Sequence, residues 1–185
     1  YYTKESLDTV SKLIETFDTG VNEINTKEIT PEELSKMIPK DVMLNIFDSI
    51  KLKMQLENLK KIQMTWRIGE GFFNIRIREN SEPEITTIVL KHGKSIFDFS
   101  EESDGTKRLI DLIYMLMIKQ DDIVFVVDEL ERSLHRKLTE HFIEMFMESN
   151  KEERIQLIFT THENAIMDKK IFRRDEIWFI ERDNN

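Results

Sequence analysis

Two adjacent carboxylates, Asp128 and Glu129, follow directly after the apolar run Ile123–Val127. An unbroken apolar run of this length predicts a strand that is buried on both faces, as in a parallel sheet covered by helices. The carboxyl ends of such strands are where these sheets place ligand chemistry. The pair is suited to hold Mg²⁺ through Asp128 and to polarise an attacking water through Glu129. A strand that runs into an acidic surface turn is the alternative.

The segment 102–108 could also carry chemistry, because it opens a predicted helix. Ser103 is a good N-cap, and Gly105 allows the backbone to come close to a ligand. The exposed amides of a first helical turn, together with the helix dipole, attract anions. An ordinary capped helix explains the same residues.

His162 follows a second apolar strand, predicted at residues 155–160. If that strand is the sheet neighbour of residues 123–127, His162 lies close to Glu129. An imidazole there can hydrogen-bond a γ-phosphate or the attacking water. A lone His at a strand end is otherwise a surface or capping residue.

The elements that must position these residues follow from the hydrophobic periodicity. The predicted helices are residues 6–17, a helix that starts at Thr30, and residues 41–62, 106–119 and 134–148. The predicted strands are residues 21–29, 72–78, 85–90, 123–127, 155–160 and 176–180. Helices and strands alternate from Ser103 onward, which predicts right-handed crossovers and a parallel sheet. The predicted fold class is α/β, with a mostly parallel sheet flanked by helices and an α-helical insertion.

Composition bounds the class of protein. The chain has 185 residues with 39% hydrophobic and 34% charged residues, which is typical of a soluble globular domain. No apolar run approaches the roughly 20 residues of a membrane helix, and the absence of cysteine excludes disulfides. We therefore expect a cytoplasmic protein without a membrane segment. A net charge of −9 argues against nucleic-acid binding over the whole surface.

In order and spacing, these motifs resemble the C-terminal half of an ABC-type ATPase head. The similar branch is the one shared by SMC, RecF and the OLD-like and RloC-like bacterial ATPases, which implies a P-loop NTPase fold. Ser103 and Gly105 stand where the ABC signature has its Ser and second Gly. Asp104 replaces the first Gly, and Thr106 replaces the usual Gln.

The other motifs of the resemblance lie further along the chain. Asp128 and Glu129 match the Walker B aspartate and the catalytic glutamate, and His162 matches the switch histidine. Ser133 falls on the D-loop, where His135 stands in place of the usual Asp. The resemblance covers residues 95–183 well, residues 7–24 and 72–92 weakly, and the helices between them hardly at all. We accordingly expect an N-terminal helix and short strand (1–30), a helical insertion (31–64) and a C-terminal ATPase lobe (65–185).

The P-loop motif that holds nucleotide phosphates, G-x-x-x-x-G-K-[ST], is missing from the sequence. Gly93-Lys94-Ser95 copies its end, but no glycine stands five residues before Gly93, so a turn between strands is the better interpretation. The chain also begins with Tyr1-Tyr2 rather than Met. We therefore expect a piece of a longer protein, whose P-loop lobe lies outside this sequence or in another chain.

The resemblance implies ATP and Mg²⁺ as ligands, with two heads that sandwich ATP head to tail. It implies that a partner head, in a homodimer, presents ATP to one set of residues: Ser103, Asp104, Gly105, Thr106 and Ser133. Asp128 would hold the metal, and Glu129 and His162 would be catalytic. An effector nuclease or DNA is a further partner expected from the family, in anti-phage or toxin-type defence.

Two other functions stay open at this point. The first is an ABC-like scaffold that binds a partner without hydrolysing ATP. The second is a metal-dependent nuclease that uses Asp128, Glu129 and Glu131, although no Asp-x-Asp pair stands at a strand end. The Lys-rich helices between Glu32 and Lys61 are either a binding arm or a solvated helical face.

Overall fold

The computed structural model describes residues 4–68, 71–79, 81–118, 122–168 and 170–181. They form two compact units, residues 1–102 and 103–185. The first unit contains α1 (Lys4–Glu15), β1 (Glu23–Glu28), α2 (Pro31–Met37), α3 (Lys40–Leu56), β2 (Lys61–Ile68), β3 (Gly71–Arg78), β4 (Glu84–His92) and β5 (Ser95–Asp98). The second contains α4 (Asp104–Met117), β6 (Ile123–Val127), α5 (Arg136–Ser149) and β7 (Ile155–Phe159).

The sheet of the first unit is antiparallel. Its order is β1-β4-β3-β2, and β5 also pairs with β4. The prediction of a mostly parallel sheet is therefore wrong for these five strands. The reason is local, because short turns such as Gly93-Lys94 join consecutive strands, and such turns can connect only antiparallel neighbours. Gly93 adopts a left-handed φ of +60°, which confirms the predicted turn at Gly93-Lys94-Ser95.

The helices α2 and α3 pack on this sheet. Thr30 and Glu33 form the predicted capping box at the start of α2. The shared core holds residues from the helices and from β3 and β4, namely Leu34, Ile38, Ile50, Phe73, Ile75, Ile77 and Ile85, together with Ile29. The lysines of α2 and α3 are exposed. The helices therefore have one solvated face and one face in the core. The predicted helix 41–62 ends early at Leu56, and strands β2 and β5 were not predicted.

The second unit contains the parallel pair predicted from the sequence. β6 and β7 run parallel, with Val127 opposite Phe159. The prediction that β6 is buried on both faces is wrong, because Val124 is 55% exposed and Val126 is 77% exposed. On the other face, Phe125 packs edge to face on Phe146 of α5, with the ring centroids 6.2 Å apart.

The remaining predictions for the second unit concern its boundaries. The predicted helix 106–119 is α4, which ends at Met117, and Lys119 lies outside the described residues. The predicted last strand, 176–180, is not a strand; a 3-10 helix at Arg174–Glu176 is followed by residues 177–181, which have no regular secondary structure. Among the described residues, no helix is long and apolar enough to cross a membrane.

Candidate functional site

The acid pair and the histidine meet at the carboxyl end of the β6–β7 pair. Backbone pairing continues past the strands, because the Leu130 amide donates to the Thr160 carbonyl at 3.1 Å. This pairing brings the loops after the two strands side by side, and Nε2 of His162 lies 3.5 Å from Oε1 of Glu129. The side chains of His162 and Glu129 are 83% and 46% exposed, respectively, so solvent can reach both.

Thr160 links the two carboxylate residues, although the sequence analysis assigned it no role. Its hydroxyl donates to Oδ1 of Asp128 at 2.5 Å and accepts from the Glu129 amide at 2.9 Å. Glu129 has a φ of +48°, in the left-handed region that non-glycine residues seldom occupy. The Thr160 hydroxyl thus holds the Asp128 side chain and satisfies the amide of a strained neighbour. The signal for this role in the sequence was a hydroxyl-bearing residue at the end of the predicted neighbouring strand.

The predicted anion-binding segment is a capped helix start. The Ser103 hydroxyl accepts from the Thr106 amide at 3.1 Å and lies 3.0 Å from the Thr106 hydroxyl. Thr106 is buried, so its hydroxyl serves the cap and faces away from solvent. Ser103 and Asp104 are exposed and remain able to reach a ligand.

Gly105 and Ser133 lie against each other. A Cβ added at Gly105 would lie 2.8 Å from the Ser133 carbonyl oxygen, closer than real Cβ atoms come to backbone. The glycine therefore allows the first turn of α4 to approach the backbone of Ser133, in the predicted D-loop, where the sequence had predicted approach to a ligand. Ser133 is exposed with a left-handed φ of +63°, and His135 caps α5 by accepting from the Lys137 amide.

Arg108, on α4, hydrogen-bonds the backbone of the acid pair. Its Nη2 donates to the carbonyls of Asp128 and Glu129, each at 3.3 Å. A guanidinium bonded to both carbonyls restrains the backbone that carries the two carboxylates. The sequence offered no signal for this contact, because Arg on a helix is usually a solvated residue.

Glu131 hydrogen-bonds the backbone of the loop after β7, which carries His162. Its Oε1 accepts from the His162 amide at 2.7 Å. Burial raises the pKa of Glu131, but hydrogen bonds from the His162 amide, from its own backbone and from the Thr161 hydroxyl outweigh burial and lower the pKa overall. Glu131 is therefore a carboxylate at neutral pH.

The donors at this site suit Mg²⁺ bound together with a nucleotide. No group of three or more Asp, Glu or His side chains among the described residues could hold a metal ion by itself. Mg²⁺ in ATPases is held by one or two carboxylates together with phosphates and water. Asp128 supplies one exposed carboxylate, which fits that pattern and does not fit an all-protein metal cage.

A comparison with protein families adds the observation that decides the class. The model described as "AAA domain, putative AbiEii toxin, Type IV TA system" matches residues 2–168. The chain belongs to this family. Membership confirms the predicted ATPase-type, nucleotide-binding domain in its general form. The comparisons with curated proteins and with solved structures found no match.

Proposed function

We propose that this AAA-family chain is the C-terminal half of an ABC-type ATPase head that binds and hydrolyses ATP with Mg²⁺. The supporting observation is the convergence of Asp128, Glu129 and His162 at one end of a parallel strand pair. Asp128 would hold the metal through water, Glu129 would orient the attacking water, and His162 would hydrogen-bond the γ-phosphate. Bound Mg²⁺ would neutralise charge on the phosphates.

The proposal includes a second head. Two heads would close head to tail around ATP, and the first turn of α4, with Ser103, Asp104 and Gly105, would face the partner's nucleotide. The exposed amides of that turn and its helix dipole support anion binding there. Thr106 would contribute through the cap that orients Ser103, and Ser133 through the D-loop that Gly105 contacts.

The P-loop must then come from another lobe, in the same protein or in a partner. Two observations support this: the motif is missing from the 185 residues, and the β6–β7 pair exposes apolar side chains on one face. These side chains are Val124, Val126 and Ile158. Contiguous exposed apolar side chains mark interaction surfaces. We further propose that the ATPase drives an effector, such as a nuclease, or acts on DNA in anti-phage defence, in line with the toxin wording of the family description.

The test is ATP-dependent dimerisation of the full-length protein with Glu129→Gln. The amide keeps the size of the side chain but cannot take up a proton from water, so ATP stays bound and the dimer accumulates. Light scattering after size exclusion should show a dimer with Mg-ATP and a monomer with Mg-ADP. Glu144→Gln makes the same change at an exposed position on α5 and should behave as wild type. A Glu129→Gln protein that stays monomeric with ATP would contradict the proposal.

A non-hydrolysing scaffold is the second candidate, which the missing P-loop motif favours. A scaffold would associate with its partner equally well with and without ATP. Full-length protein that binds no ATP in calorimetry, yet forms a stable complex with its partner, would support this function over the ATPase.

A further inference from the structure

The position of His162 depends on its backbone more than on packing of its ring. The side chain is 83% exposed, so few neighbours restrain the imidazole. Its backbone amide, in contrast, donates to the Glu131 carboxylate at 2.7 Å. A hydrogen bond to a charged acceptor is among the stronger ones in proteins.

Glu131 is presented from a fixed stretch of backbone. Leu130, directly before it, is fully buried and pairs with the Thr160 carbonyl. The Glu131 carbonyl accepts from the Leu134 amide at 2.8 Å, and the Arg132 amide donates to the Glu129 carbonyl at 3.0 Å. These hydrogen bonds hold the loop after β6 in place. From this loop the Glu131 side chain reaches the loop after β7.

The Glu131 carboxylate is held in its charged form mainly by its contact with the His162 amide, and among the described residues only one of its two oxygens has a hydrogen-bond partner. Glu131 is the third acid in the four residues from Asp128, so it adds like charge to the site. Its Oε2 is buried, and within the described ranges no donor of normal geometry reaches that atom. The one short, directional contact of this carboxylate is therefore to the His162 backbone, which indicates a geometric role.

We propose that Glu131 is a positioning residue for His162, holding the loop after β7 so that the imidazole faces Glu129. This inference rests on the proposed ATPase function. It adds to the site a residue outside the acid pair, the signature segment and the histidine.

Amide hydrogen exchange tests the contact without nucleotide, and so independently of ATPase activity. In the full-length protein, Glu131→Ala should make the His162 amide exchange about tenfold or more faster, because a charge-assisted hydrogen bond is lost. Glu131→Gln keeps an acceptor oxygen and should preserve most of the protection. Glu163→Ala is the matched control, since Glu163 caps the Ala165 amide and should leave His162 unaffected. Equal exchange in Glu131→Ala and wild type would overturn the inference.

A double-mutant cycle measured on ATP turnover tests whether Glu131 affects catalysis through His162. Glu131→Ala should lower kcat for ATP about tenfold or more with little change in KM, and Glu131→Gln should restore most of it. In a His162→Ala background, Glu131→Ala should have no further effect on kcat. An undiminished effect in that background, or an unchanged kcat in the single variant, would overturn the inference.

The hydrogen-exchange experiment and the kinetic experiment together distinguish a failure of this inference from a failure of the proposed function. A wild-type protein that binds ATP but does not turn it over contradicts the proposed function, and the exchange arm then decides whether Glu131 holds His162. Normal turnover in wild type, combined with full protection of the His162 amide in Glu131→Ala, rejects the inference and leaves the proposed function intact.

Discussion

A single hydroxyl organises the acid pair. Thr160 donates to the Asp128 carboxylate and accepts from the Glu129 amide, so one side chain orients the proposed metal ligand and the backbone of the proposed base. Glu129 needs such support because its left-handed φ is unfavourable for a residue with a Cβ. Backbone strain of this kind persists where surrounding contacts hold it, and here those contacts come from Thr160 and Arg108.

Substitution at Thr160 tests this arrangement. Thr160→Val keeps the shape but removes the hydroxyl, leaving the Glu129 amide without its acceptor. We expect a loss of about 0.5–1.5 kcal/mol in unfolding free energy and a higher Mg²⁺ concentration for half-maximal ATP turnover, because the Asp128 carboxylate is no longer held in place. Thr160→Ser retains the hydroxyl and should keep both properties near wild type. Equal stability of the Val and Ser variants in urea unfolding would contradict the role of the hydroxyl.

At the scale of elements, α4 is fitted closely to the loops after β6. Gly105 lets the first turn of α4 approach the Ser133 carbonyl, and Arg108, one turn later, binds the carbonyls of Asp128 and Glu129. The proposed signature segment and the proposed catalytic residues are therefore mechanically linked within one unit. A ligand that shifts α4 would therefore also move the backbone that carries the acid pair.

The substitution Gly105→Ala has two opposing effects on the free energy of unfolding, and their magnitudes differ. Alanine in place of glycine usually stabilises a helix by up to about 1 kcal/mol. Here its Cβ would lie 2.8 Å from a backbone oxygen, and overpacking of this kind costs about 1–3 kcal/mol. We expect a net loss of unfolding free energy in urea titrations. Asp104→Asn, an exposed change in the same turn, should cost clearly less. A stabilised Gly105→Ala protein would show that α4 can move away from Ser133.

The sequence predicted the elements with strong local signals and missed those that depend on tertiary pairing. The apolar run 123–127 matches β6 residue for residue, and the Thr30–Glu33 capping box marks the start of α2. Strand β2 is missing from the prediction, in which the helix runs on to residue 62, since the pairing of β2 with β3 is not visible in local periodicity. At the site, the pattern identified acids and a histidine at strand ends. The contacts of Thr160, Arg108 and Glu131 arise only when separate segments meet.

At the scale of the whole molecule, the exposed apolar face of β6 is the feature that most needs a partner. Val126 is 77% exposed beside the acid pair, and Val124 and Ile158 are also exposed. A face of this composition suits the P-loop lobe that the proposed function requires, because burial would then remove apolar surface from water next to the site.

Val126→Lys tests that assignment. In the 185-residue chain the change should alter unfolding free energy by less than about 0.5 kcal/mol, because the site is exposed. In the full-length protein it should weaken ATP binding and ATP-dependent dimerisation, since a lysine would be placed at the lobe interface. Met147→Lys, at a 46% exposed position on α5, is the control and should leave both properties unchanged. Normal ATP binding by full-length Val126→Lys would show that the P-loop lobe does not cover this face.

The most direct measurement is ATP turnover by the full-length protein with and without the Glu129 carboxylate. If Glu129 orients and deprotonates the attacking water, Glu129→Gln should lower kcat by about 10²–10⁴-fold while ATP affinity stays close to wild type. The Glu144→Gln control should keep the wild-type rate. Turnover by Glu129→Gln at the wild-type rate would contradict the account, because the acid pair at the end of β6 would then have no part in the chemistry.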